Sequence, residues 1–111
     1  MIIADIKRNN GSIYRFEFLG HADYADHGED IVCAAVSVLS QTALLGLVEY
    51  AKIDIEYEIK DEDGFLLCEI PKELDSKKRL IADSILETMY LGLLSIEESY
   101  SSHIKIKIEE V

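Results

Sequence analysis

Proline occurs once in the 111 residues, cysteine twice, and Lys and Arg together number 11 against 22 Asp and Glu, a formal net charge of -11. Each shortage excludes something. With so little proline there is no composition for a linker or a low-complexity tail, and a chain of this length has room for one core rather than two. Residues 1–111 are therefore expected to form a single domain. Two cysteines cannot build a disulfide scaffold. The start MIIADIKRNN has no basic segment leading into an apolar run, so no secretory leader is expected and the protein reads as cytoplasmic. No cluster of Lys and Arg offsets the negative charge, which repels phosphate, so nucleic-acid binding is disfavoured and a basic peptide or protein partner fits better. The hydrophobic content of 49% argues against disorder.

The longest uncharged run, IVCAAVSVLSQTALLGLV from Ile31 to Val48, reaches the lower length limit for a membrane span. Ser37, Ser40, Gln41 and Thr42 interrupt it, Glu29, Asp30 and Glu49 flank it, and no basic or aromatic belt marks its ends. The expectation is a helix buried on most sides, with no membrane partner.

Strand-like alternation runs over residues 2–8 and 13–19, and Asn10-Gly11 between them signals a tight hairpin. The segment GHADYADHGE, residues 20–29, fits neither period and reads as a long polar loop. A helix follows to about Tyr50. IDIEYEI from Ile53 and FLLCEI from Phe65 form a second strand pair around DEDG, with Ile53, Ile55, Tyr57 and Ile59 on one side. Asp75 or Ser76 caps a second helix running to about Glu98, its apolar side carrying Leu86, Met89, Leu93 and Ile96. HIKIKIE is the last strand. The order ββαββαβ predicts an α+β fold: a mixed or antiparallel sheet with two helices packed on one face.

A histidine in the loop and a cysteine at a helix start carry the chemistry. With Asp30 as N-cap, Cys33 falls at the third helical position, where the helix N-terminus favours thiolate and a neighbouring His21 would add to that effect. First-turn amides there are candidate oxyanion donors. The residues alone leave the plain alternative open, because a helix cysteine commonly acts as a small core hydrophobe. His21, His27 and Cys33 follow the spacing H-x5-H-x5-C, which matches no usual zinc ligand set, so no metal is expected and His27 reads as a solvated loop residue. Cys68 reads as core, and His103 opens the last strand with no visible role. Gly46 permits close approach of another helix or a second subunit.

The pair Gly20-His21, a variable loop, and then Asp30-Ile31-Val32-Cys33-Ala34 followed by Ser37 resemble the signature of the ribosomal-processing cysteine protease family Prp, the YsxB-like proteins. The likeness extends over essentially the whole chain. It implies a cytoplasmic, homodimeric cysteine endopeptidase that removes a short N-terminal extension from ribosomal large-subunit protein twenty-seven, with no cofactor. His21 and Cys33 would be its catalytic dyad, with Gly20, Asp30 and Ser37 in support. Asp30 either orients His21 or caps the helix. The Ser37 hydroxyl bonds either the active-site loop or the carbonyl of Cys33. Gly20 permits either substrate approach or simply a turn. The loop from Ala22 to Glu29, with Gly28 as hinge, is a candidate lid. Two alternatives stand beside the protease: a non-catalytic acidic ribosome-assembly factor binding a basic ribosomal protein, and a thiol redox sensor pairing Cys33 with Cys68.

Overall fold

Asn10 and Gly11, at φ 52° and 82°, reverse the chain between β1 (Ile2–Asn9) and β2 (Ser12–Leu19), which pair antiparallel. Two consecutive positive φ values match the right-handed twist of the flanking strands, and so Asn-Gly is at home here. The structure, a computed structural model, describes residues 1–26 and 29–111. The readings of His27 as a solvated residue and of Gly28 as a hinge fall outside the described residues.

Beyond the hairpin, α1 (Ile31–Leu45) continues through a wider π-helical turn over Gly46–Tyr50. β3 (Glu56–Lys60) and β4 (Phe65–Glu69) follow, then α2 (Ser76–Ser99), capped by the Asp75 carboxylate, and β5 (Ile104–Glu110). The sheet order is β3-β4-β2-β1-β5, antiparallel throughout except for β1 with β5. The sheet is therefore mixed. A parallel pair needs a long crossover, and α2 supplies it by carrying the chain back along the sheet before β5 begins.

Period-2 alternation sends Ile2, Ala4, Ile6, Phe16, Phe18, Leu66 and Cys68 to the helix-covered face. There they meet Val32, Val36, Leu44 and Leu47 before Gly46 and just beyond it, and Ala82, Leu86, Met89 and Leu93 of α2, in one continuous core. The two helices pack closely at glycines. A Cβ on Gly92 would stand 2.7 Å from Leu39 Cδ2, and one on Gly46 would stand 3.2 Å from Ile85 Cδ1. Gly46 thus serves packing between helices of this chain.

Two expectations need correction. The third strand starts at Glu56 and not at Ile53, because the segment before it closes the first helix: Lys52 takes φ 57°, and the Ile53 amide donates to the Leu47 carbonyl at 3.0 Å. Ile53 is buried by that closure, whereas Tyr57 is 57% exposed because β3 lies at the sheet edge and pairs only with β4. The uncharged helix is also not buried on most sides. Ile31, Val38 and Leu45, spaced by seven, are all more than half exposed, since one layer of two helices covers only the inner side of α1. With its π-helical turn it is long and apolar enough to cross a membrane by length and composition, yet its inner side is part of the core.

Candidate active site

The site begins where β2 ends. Gly20 has φ 100°, and a Cβ there would stand 2.5 Å from the Met1 carbonyl oxygen. Its amide donates to the Gly64 carbonyl at 3.0 Å. Gly64 sits at φ 60° after the Asp61–Asp63 turn, and a Cβ on it would overlap the Gly20 carbonyl oxygen and stand 3.1 Å from His21 Cε1. Two glycine backbones thus abut where no side chain fits, bringing that turn against His21. The His21 Nε2 lies 3.1 Å from the Glu62 carbonyl oxygen. A carbonyl only accepts, so Nε2 is the donor in this contact.

Asp30 caps α1. Its Oδ1 accepts from the Val32 and Cys33 amides, both at 3.0 Å, and its Oδ2 accepts from Tyr24 at 2.9 Å and Ala25 at 3.3 Å. Both carboxylate oxygens are therefore spent on backbone, and among the described residues the Glu62 carbonyl is a group that contacts the His21 ring. Burial alone would raise the Asp30 pKa, but the amides of Cys33, Tyr24, Ala25 and Val32 outweigh it and the net direction is downward.

This cap occupies three of the first-turn amides expected as oxyanion donors. The Val32 and Cys33 amides point at Asp30 Oδ1, and the Ala34 amide donates to the Asp30 carbonyl at 3.0 Å. The amide that does face the sulfur comes from the loop, where Ala22 N–H donates to Cys33 Sγ at 3.2 Å. The expected thiolate is corrected as well. Burial pushes the half-buried Cys33 thiol above its ordinary pKa; the Ala22 hydrogen bond opposes that push, and the negative charges of Asp30 and Asp23 reinforce it. The carboxylate that caps the helix end thus counters the field of that end.

His21 and Cys33 line one cavity of about 650 Å³ between α1 and the β3–β4 edge of the sheet. Ser37 and Gln41, one and two turns beyond Cys33, continue the helical wall, while Ile59, Phe65 and Leu66 make the opposite side apolar. Gly20 and Asp30 line it too, so all five expected site residues come together. Cys68 is fully buried at a β4 position between Phe16 and Tyr57, its thiol pushed up to about 12, mainly by burial, and both cysteines are free. Among the described residues no group of three or more His, Cys, Asp or Glu is placed to hold a metal ion.

Two participants escape a reading of the residues in order. The Glu62 contribution is a main-chain carbonyl, which no side-chain motif encodes. His103 donates from Nδ1 to the Ala22 carbonyl at 2.9 Å, 81 positions away in sequence, and only the β1–β5 pairing brings it there.

The protein-family profile described as cysteine protease Prp matches residues 1–105. The chain belongs to the Prp family of cysteine proteases. The ribosomal processing cysteine protease Prp of Bacillus subtilis is 33% identical over 107 residues, covering 96% of each chain. That of Staphylococcus aureus strain Mu50 is 35% identical over 111 residues, covering 96% of this chain and 97% of the relative. A crystal structure of S. aureus Prp in complex with a covalently linked product peptide superposes with a TM-score of 0.88 at 27% identity, covering 98% of this chain and 100% of that one. A second S. aureus Prp structure, in complex with a substrate peptide, has a TM-score of 0.82 at 27% identity over the same shares. Membership in Prp makes this protein a cysteine protease with a peptide substrate, and the non-catalytic alternative gives way to an enzyme. The five-stranded mixed sheet with two helices is the Prp fold.

Proposed function

We propose that this protein cleaves the N-terminal extension from ribosomal large-subunit protein twenty-seven in the cytoplasm, with Cys33 as nucleophile and His21 as general base and acid. The observation that carries the reading is the pairing of a Glu62-contacted imidazole and an amide-contacted thiol on one cavity. His21 takes the thiol proton as sulfur attacks the scissile carbonyl carbon, burial having raised the pKa of that thiol in the free protein. The tetrahedral oxyanion collapses, the C–N bond breaks, and His21 returns the proton to the leaving amine. Water, deprotonated by His21, then hydrolyses the thioester and restores the thiol. The Ala22 N–H, which donates to Cys33 Sγ, stabilises the negative charge that forms on the sulfur as its proton leaves.

The cavity favours an extended peptide. Its apolar sheet side suits hydrophobic side chains, and Asp23, Asp61 and Glu62 add carboxylates that complement a basic ribosomal polypeptide. The deciding assay incubates wild type, His21→Ala and Cys33→Ala with the precursor. Cleavage of the extension by wild type, lost in both folded variants, supports the reading; cleavage by Cys33→Ala overturns it.

The homodimer belongs to the same proposal. The exposed apolar stripe Ile31, Val38 and Leu45 on α1 gives a second copy a surface to cover. Sedimentation of wild type as a dimer, and of Val38→Glu as a monomer, supports it, whereas a monomeric wild type refutes it.

A further inference from the structure

The backbone of His103 is held on both sides: its amide donates to the Tyr100 carbonyl at 2.8 Å, and its carbonyl accepts from the Ile2 amide at 2.9 Å. This ties it between the end of α2 and the start of β1. Its ring then reaches the loop. Nδ1–H donates to the Ala22 carbonyl at 2.9 Å, and the Tyr24 ring stands edge-on to both His103 and Tyr100, at centroid distances of 5.3 and 5.5 Å. Ala22 is buried, so both of its polar backbone groups need partners: the carbonyl has His103 and the amide has Cys33 Sγ. The amide belongs to the peptide that joins Ala22 to His21.

We infer that His103 is a positioning residue, one that acts through the Ala22 backbone to hold the His21–Ala22 peptide against the Cys33 sulfur. The inference rests on the dyad reading above. Without the Nδ1–H donor the buried Ala22 carbonyl loses its partner, and the residue turns to find another. That rotation withdraws the amide from the sulfur and shifts His21, the adjacent residue. A displacement of about 1 Å in such a constellation lowers turnover far more than it lowers binding.

The test compares His103→Leu with His103→Asn, side chains of similar size of which only the amide donates at the position of Nδ1. Cleavage of the precursor peptide is followed together with carboxamidomethylation of Cys33 by iodoacetamide at pH 7, read by mass spectrometry, which needs no substrate. Expected are a kcat about tenfold lower for His103→Leu with KM within about twofold, slower Cys33 labelling, and recovery of both in His103→Asn. A wild-type kcat and labelling rate in His103→Leu overturns the inference. So does an asparagine variant as slow as the leucine variant, or a loss confined to KM. If His103→Leu does not fold, His103→Ala with added imidazole replaces it: recovered turnover supports the role and unrecovered turnover refutes it. Cys33→Ala runs alongside. Cleavage by Cys33→Ala sinks the dyad, whereas an inactive Cys33→Ala beside a fully active His103→Leu sinks only this inference.

Discussion

The Asp30 carboxylate holds the Cys33 amide at 3.0 Å while its charge helps keep the thiol of the same residue protonated. One side chain therefore builds the helix end that presents the Cys33 thiol and helps to raise the pKa of that thiol. Burial contributes most to that rise.

Replacing Asp30 by Asn keeps one capping acceptor but removes the charge and the second acceptor that holds Tyr24 and Ala25. Chemical denaturation is expected to show a loss of about 1–2 kcal/mol. The pH at which Cys33 is half-labelled should move downward, because a charge that raised the thiol pKa is gone. A higher midpoint for labelling would contradict this account of the site.

Acid should loosen the same corner. The Asp30 pKa is lowered in the folded chain, so its cap contributes full stability above the usual carboxylate range and loses it as pH falls through and below that range. In wild type, protection of the Val32 and Cys33 amides from hydrogen exchange is expected to fall with acid, and in Asp30→Asn that pH dependence is expected to vanish.

The free protein should label slowly. With the Cys33 thiol above its ordinary value, iodoacetamide at pH 7 is expected to react more slowly than with an exposed cysteine in a short peptide, the rate climbing toward alkaline pH. Faster labelling than the peptide at pH 7 would mean a resting thiolate–imidazolium pair instead.

Gly64 and Gly11 form a matched comparison, both at positive φ. A Cβ on Gly11 meets nothing within 4 Å, so Gly11→Ala should cost only the backbone strain, about 1 kcal/mol, with cleavage retained. Gly64→Ala drives a methyl into the Gly20 carbonyl and toward the His21 ring, and a further loss of stability with kcat reduced at least tenfold is expected. Equal activity in the two variants would show that the contact between the two glycine backbones does not place His21.

Cys68→Ala should lower stability by about 1 kcal/mol or more through the void it leaves, and leave cleavage intact. Loss of oxidant sensitivity in that variant, with sensitivity present in wild type, would revive a redox role for the pair.

Much of the site was legible because it is local. Asp30, Cys33 and Ser37 lie within eight consecutive residues, and helix geometry alone places the last two on one face and the first at the cap. The two hairpin turns and the polar alternation of β1, β2 and β4 likewise follow from neighbouring residues. Where reading in order went astray, a distant partner had intervened: the closure of α1 on Leu47 shortened β3, and the Asp30 cap consumed the amides expected to face an oxyanion.

Periodicity, turn residues and a charge-free run were enough to set the element order and the cavity's chemical ingredients, because those depend on backbone preferences and on which side chains avoid water. The direction of the thiol's pKa, the carbonyl that contacts the His21 ring and the grip of His103 on Ala22 were decided only by folding. Each depends on a main-chain group or a buried distance between segments up to 81 positions apart, and no local pattern carries that information.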